Sequence, residues 1–167
     1  RIAEIIPNLQ SAALAKEAGF DGVEIHSAHG YLLSSSLSPR INTRTDSWGG
    51  SLKNRARLTI SVVRAVRSEV GNNFIIAVKL NSSDFQKGGF SHEDSIEVAK
   101  MLQNEGIDFL EISGGNFETP VAYKHSSKKD STVAREAYFL DYARDIKAAL
   151  NIPVMVTGGF RSSHIMR

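Results

Sequence analysis

Asp21-Gly-Val-Glu-Ile-His26-Ser-Ala-His29-Gly-Tyr31 decides how this chain is read. A short apolar run ends in two histidines and a tyrosine, and a long polar loop follows. In folds that alternate strands and helices, such strand ends carry chemistry, because the scaffold aims their side chains into a shared mouth. Upstream, helical spacing over Asn8–Ala18 follows Pro7 and stops at Gly19. Asp21–His26 is the first strand. Leu52–Val70 reads as a helix with Ser51 as N-cap and Gly71 as terminator. Phe74–Leu80 is a second strand. Ser91-His-Glu-Asp94 resembles a capping box and opens a helix to about Glu105. Asp108–Ser113 is a third strand, Arg135–Leu150 a helix and Pro153–Thr157 a fourth strand.

Helix–strand alternation of this kind predicts an α/β fold of parallel strands with helical crossovers. The strands are too apolar to be half-exposed, so helices must cover them. Gly19-Phe-Asp-Gly-Val-Glu-Ile25 and Gly106-Ile-Asp-Phe-Leu-Glu-Ile112 echo one another, as repeated βα units would. Loops after strands are long (Ser27–Gly50, Asn81–Phe90, Gly114–Ala134) and loops after helices are short. Long loops at the strand ends are the catalytic face of a (β/α)8 TIM barrel, which takes about 250 residues in full. Four strands make this a partial barrel. Arg1 rather than methionine opens the chain, and Ser162–Arg167 reads as a helix just beginning. The expectation is one partial domain over residues 1–167, truncated at both ends.

Composition narrows the class. A hydrophobic fraction of 41% with 23% charged residues is that of an ordinary globular protein. A net charge of +2, from 20 basic and 18 acidic residues, gives no reason to expect nucleic acid or an anionic membrane as partner. With no cysteine, disulfides, thiolate metal sites and iron–sulfur ligation are absent from this stretch. No apolar run is long enough to span a bilayer. These features predict a soluble cytoplasmic protein.

Three groups of residues point to chemistry. His26 and His29 are a pair of imidazoles able to donate hydrogen bonds to a ligand oxygen. A metal site needs a third ligand, and neither Asp46 nor His125 lies at a diagnostic spacing. Loop histidines bonded to backbone carbonyls are the plain alternative. Tyr31 is either a proton donor or a packing residue. Lys79 interrupts an apolar strand, and strand alternation puts it on the inner face with Glu24, His26, Glu111 and Ser113. A buried ammonium needs a partner. That partner is a ligand oxygen or ring system, a Schiff-base carbonyl, or a charged layer of Glu24, Lys79 and Glu111 with separations under about 6 Å. In Thr157-Gly158-Gly159-Phe160-Arg161-Ser162, glycines after a strand, a helix N-terminus and Arg161 favour phosphate binding over a simple tight turn. The loop Ser38–Gly50 holds Arg40, Arg44, Asp46 and the only tryptophan, Trp48. Ion pairs and a docked ring are expected to order it in support of the mouth.

Taken together, His26-Ser-Ala-His29-Gly-Tyr31-Leu-Leu, Leu37-Ser-Pro-Arg-Ile-Asn-Thr-Arg-Thr-Asp46 and Gly49-Gly-Ser-Leu-Lys-Asn-Arg-Ala-Arg57 closely resemble the Old Yellow Enzyme family of flavin oxidoreductases. The resemblance continues through Val78-Lys79-Leu-Asn, Glu111-Ile-Ser-Gly-Gly115 and Val156-Thr-Gly-Gly-Phe160. It implies an FMN-binding (β/α)8 barrel, of which this chain carries about strands four to seven. By the resemblance, His26 and His29 bind the electron-withdrawing oxygen of a small-molecule substrate, and Tyr31 supplies a proton to its α-carbon. Lys79 contacts the flavin ring. Gly158, Gly159, Phe160 and Arg161 lie in the region of the FMN phosphate. NADH or NADPH would be the reductant and an activated alkene such as an enone the acceptor. The resemblance leaves substrate identity and homo-oligomerisation open. Two rival readings stand beside it: an inactive fragment that cannot hold FMN alone, and a barrel lyase using Lys79 as a Schiff base.

Overall fold

The computed structural model describes residues 10–118, 136–164 and 166. In chain order the elements are α1 (Gln10–Glu17), β1 (Gly22–Ser27), α2 (Leu32–Leu37), α3 (Leu52–Val70), β2 (Ile75–Asn81), α4 (His92–Asn104), β3 (Phe109–Ser113), α5 (Leu140–Ala148) and β4 (Val154–Val156). The four strands form one parallel sheet in the order β1-β2-β3-β4. A doubly wound sheet would reverse direction at a switch point. Here each strand is added beside its predecessor, and right-handed crossovers then place every helix on the same face. The sheet is an arc of barrel wall, as the alternation predicts.

Period-two alternation divides the strands cleanly. Ile25, Ile76, Val78, Leu80, Leu110 and Ile112 face outward and are buried against the helices. Val62, Val63 and Val66 of α3, Val98, Ala99 and Leu102 of α4, and Ala143 and Ile146 of α5 complete that core. Each large side chain buried there contributes about 1.5–3 kcal/mol relative to exposure. The opposite face carries Glu24, His26, Ala77, Lys79, Asn81, Phe109, Glu111, Ser113 and Met155, most of them unsuited to a packed interior. Met155 is 45% exposed on that face. Among the described residues no helix is long and apolar enough to cross a membrane.

Helix starts follow their caps. Ser51 Oγ accepts the Asn54 amide and Ser91 Oγ accepts the Asp94 amide. The capping box at Ser91 forms only in its forward half, because the Asp94 carboxylate is taken by Arg55 at 2.6 Å. Two elements differ from the sequence reading. The loop after β1 contains α2, whose serines bond back to nearby backbone: Ser35 Oγ donates to Gly30 O and Ser36 Oγ to Leu33 O. The helix expected over Arg135–Leu150 starts at Leu140, since Ala137 takes a left-handed φ of 52° and interrupts any earlier turn. Arg135 lies outside the described residues, and Ser163 and His164 form a turn.

The β1–α3 loop is ordered from within. The buried Arg55 side chain donates to Leu37 O (2.7 Å), Gly50 O (2.7 Å) and Asp94 Oδ2 (2.6 Å), tying both ends of the loop to α4. Asn42 Nδ2 donates to Ser36 O and Trp48 O. The expected ion pair forms between Arg44 and Asp46, and the Arg57 guanidinium lies 5.9 Å from the Trp48 ring. Arg44 and Asp46 are exposed, so Arg55 and Asn42 contribute most of the order.

Candidate active site

Parallel register sets His26, Lys79, Glu111 and Met155 in one row across the four strands. Paired residues of a parallel sheet point the same way, so all four project from the inner face. Lys79 Nζ lies 3.1 Å from Glu24 Oε2 and 3.4 Å from Glu111 Oε1. The charged layer expected from alternation therefore exists. Burial draws the Lys79 ammonium down, but the hydrogen bonds and charges of Glu24 and Glu111 outweigh it and raise its pKa. Lys79 is a charged cation between two carboxylates.

Glu111 responds in the opposite sense to most paired carboxylates. Its side chain is only 7% exposed. Burial, and then the Glu24 carboxylate beside it, push its pKa up to about 6 against the pull of Lys79. A folded-state pKa above the unfolded value means that the folded chain holds the proton more tightly. The associated stability is complete below about pH 4.5 and is lost as pH rises through about 6. Glu111→Gln keeps the uncharged form at every pH. It is expected to match the wild type in acid and to exceed it by about 2 kcal/mol near about pH 8. Urea denaturation at the two pH values measures this, and equal stabilities at the higher pH would contradict the carboxylate pairing.

Above this row the chain turns into its mouth. His29 adopts a left-handed φ of 64° and Gly30 one of 81°. That conformation is costly for a histidine and persists only where its surroundings enforce it. Two contacts do so: the His29 amide donates to Asn81 Oδ1 (3.1 Å), and His29 Nε2 meets Ser113 Oγ (2.7 Å). Asn81 is itself fixed, donating to Asp84 Oδ1 and Gly115 O. The kink brings the His29 ring to 5.2 Å from that of His26, and the Tyr31 ring lies 5.1 Å from His26. Phe117 closes the cluster 5.3 Å from Tyr31. Tyr31 is 50% exposed. Burial, followed by nearby positive charge, lowers the pKa of both histidines; for His26 that charge is Lys79, and for His29 it is any proton on His26 and then Lys79. Both are neutral imidazoles near pH 7.

The turn after β4 is also shaped for an anion. Gly158 and Gly159 have φ of 104° and 77°. A Cβ on Gly158 would come within 2.9 Å of the Phe139 ring, and one on Gly159 within 2.7 Å of the Tyr138 ring. The glycines thus answer to aromatic packing as well as to backbone conformation. Just beyond, a single oxygen, Glu136 Oε2, accepts from Arg161 N (3.2 Å), Ser162 N (3.0 Å) and Ser162 Oγ (2.7 Å). Arg161 Nη2 donates to Tyr138 Oη, and Phe160 is half-buried.

The structure thus groups His26, His29 and Tyr31 at one mouth, sets Lys79 beside His26 in the sheet, and puts Gly158–Arg161 at the end of β4. Asp46 bonds to Arg44 and to the Trp48 amide, while His125 lies outside the described residues. Sequence reasoning missed the positioning by Asn81, the bond between His29 and Ser113, the Phe117 wall and the role of Glu136. A polar residue ending a largely apolar strand is the one signal that marks Asn81.

An inner-face site at the strand ends of a singly wound parallel wall is the arrangement of a (β/α)8-barrel enzyme. Residues 1–167 match the NADH:flavin oxidoreductase / NADH oxidase family, and the chain belongs to that family. An NADH-dependent flavin oxidoreductase of Talaromyces variabilis, iccE, is 40% identical over 161 residues, covering 94% of this chain and 39% of the relative. Among solved structures, a 2-naphthoyl-CoA reductase complex aligns with a TM-score of 0.82 at 35% identity, covering 93% of this chain and 23% of that one. The old yellow enzyme homologue of Zymomonas mobilis aligns with a TM-score of 0.72 at 27% identity, covering 96% and 42%. The chain therefore spans about two fifths or less of the length of these proteins.

Proposed function

We propose that this chain carries the substrate mouth of an FMN-dependent NAD(P)H oxidoreductase that reduces activated alkenes. One observation carries the reading: two neutral imidazoles and a phenol share one mouth, in register with a charged lysine on the next strand. The family name and the names of the relatives support flavin as cofactor and NADH as reductant. The residues fit FMN, because the turn after β4 already holds a carboxylate oxygen on three donors, as a phosphate oxygen would be held. Arg161, Ser162 and the adjoining glycines would hold the phosphate, and Lys79 would face the ring system. When bound, FMN supplies the hydride. On this reading residues 1–167 form one partial barrel domain.

The protein's own groups do the polarising and the protonation. Among the described residues no group hydrogen-bonds the His26 ring, so its N–H is available to a substrate oxygen. His29 has Nε2 engaged by Ser113 Oγ, which leaves Nδ1 for the same oxygen. With the proton on Nδ1, the Ser113 hydroxyl donates to Nε2, a role a hydroxyl can take. Two N–H donors on one carbonyl oxygen draw charge from the conjugated alkene and stabilise the enolate-like oxygen that develops. Tyr31, beside His26, delivers the proton to the carbon next to the carbonyl.

Tyr31→Phe tests this. It is expected to slow the alkene half-reaction of the flavin-loaded enzyme by about 10²–10⁴-fold, with loss of solvent-derived hydrogen at that carbon. A rate unchanged within a factor of about two would sink the proton-donor role. The Schiff-base alternative is disfavoured by Lys79 itself. A nucleophilic amine needs a lowered pKa, and two carboxylates at 3.1 and 3.4 Å raise this one.

A further inference from the structure

The oxygen held at the turn after β4 belongs to the chain. Three donors from two successive residues converge on Glu136 Oε2. This is a nest of backbone N–H groups of the kind that captures anions, and the hydroxyl of Ser162 completes it. Glu136 arrives from the segment before α5, across the whole of α5 and β4. The chain there is positioned by Ala137 in a left-handed conformation, and Tyr138 and Phe139 follow, packed on the glycines of the turn. Those contacts hold the Glu136 carboxylate above the seat and do not depend on a ligand. The bonds to Ser162, with that to the Arg161 amide, hold the Glu136 carboxyl below its ordinary pKa.

We propose that Glu136 is a built-in competitor for the anion seat: it fills the Arg161–Ser162 nest and must be displaced before a phosphate monoester binds there. The proposal rests on the phosphate-site reading above and adds to it a residue that sets the affinity. A seat closed by an internal ligand lowers the apparent affinity for an external one by the fraction of time it is open. The internal ligand acts at a high effective concentration because it is tethered. A phosphate placed beside a retained carboxylate would face like-charge repulsion. Displacement frees Glu136 to swing outward on a partly exposed segment. Arg161, whose guanidinium bonds to Tyr138 Oη, is then positioned to add its charge to the phosphate.

The test uses the 167-residue chain and three probes: inorganic phosphate, FMN and riboflavin. Glu136→Gln keeps the shape but replaces charge-assisted hydrogen bonds with neutral ones of about half the strength. Resonances of the Arg161 and Ser162 amides are followed during titration. In Glu136→Gln they are expected to respond to phosphate and to FMN at about one tenth of the concentration the parent chain needs, or lower, while riboflavin, lacking the phosphate, shows no such gain. Equal phosphate and FMN titrations in the two proteins, including no response in either, overturn the proposal. So does a gain of the same size for riboflavin. A second measurement needs no variant. In the parent chain the Glu136 side-chain carboxyl carbon is expected to shift in step with the two amides as phosphate is added, and a stationary carboxyl signal beside moving amides contradicts displacement. Failure of the underlying site reading looks different: Arg161→Met would then leave FMN affinity unchanged in both backgrounds.

Discussion

Replacing both mouth histidines, His26→Ala with His29→Leu, is expected to lower kcat for an α,β-unsaturated ketone by about 10³-fold, with little effect on reduction of the flavin by NADH. The size follows from chemistry done by N–H groups at a developing oxyanion, where loss of one donor costs about 10²–10³. The two rings lie 5.2 Å apart at 80°, close enough to address one oxygen from two directions. Neutral imidazoles suit this task, and burial keeps both neutral. The single variant His29→Asn gives an internal control. Asparagine tolerates the left-handed backbone that His29 adopts at φ 64°, and it retains an N–H donor. It is expected to recover most of the rate that His29→Leu loses. Rapid-mixing kinetics of the alkene half-reaction checks both. If His29→Leu and His29→Asn behave alike, the donor role of His29 is wrong.

The second large effect concerns stability. Arg55→Ala is expected to destabilise the folded chain by about 3–5 kcal/mol, because it leaves the Asp94 carboxylate and two carbonyls without their shared donor. With a urea dependence of about 1–3 kcal/mol/M, the denaturation midpoint falls by one to several molar, a large part of the about 5–15 kcal/mol of an ordinary domain. Arg55→Lys restores one charge but presents a single point donor in place of a rigid fork, so it recovers only part of the loss. A midpoint shift equivalent to less than about 0.5 kcal/mol for Arg55→Ala would show that the loop is held elsewhere.

Arg55 also marks the limit of what a sequence shows. Within α3 it reads as one more basic residue on a helix surface, yet it is 7% exposed. Only the return of the β1–α3 loop over the helix explains its burial. By contrast, β2 was legible in detail: continuous apolar character gave the strand, period two gave the inward face of Lys79, and the same rule on β1 and β3 put Glu24 and Glu111 within reach of it. Short-range periodicity survives folding unchanged, so inferences built on it hold. The α2 helix was not legible, since Leu32-Leu-Ser-Ser-Ser-Leu37 has poor intrinsic helix propensity. Burial of Leu33 and Leu37, with serine hydroxyls bonded to neighbouring backbone, stabilises it instead. The mouth was half legible. Its histidines and tyrosine stood together in the chain, but Asn81 and Ser113, which fix His29, lie 52 and 84 residues away. Glu136 and the nest it fills are separated by a whole βα unit. Contacts of that range follow from topology, and no local pattern announces them.

The pairing of His26 with Lys79 in the β1–β2 ladder has a consequence for how such a protein can diversify. Neighbouring strands keep a spacing of about 4.8 Å whatever their side chains. On the proposed function, the backbone separation between His26, which would grip the acceptor, and Lys79, which would face the ring system, is therefore set by the sheet and indifferent to mutation in the loops. Tyr31 and Phe117 sit on connecting chain instead, where insertions and exchanges are tolerated. New acceptors would be gained by remodelling the rim, with the electronic centre beneath it carried along unaltered.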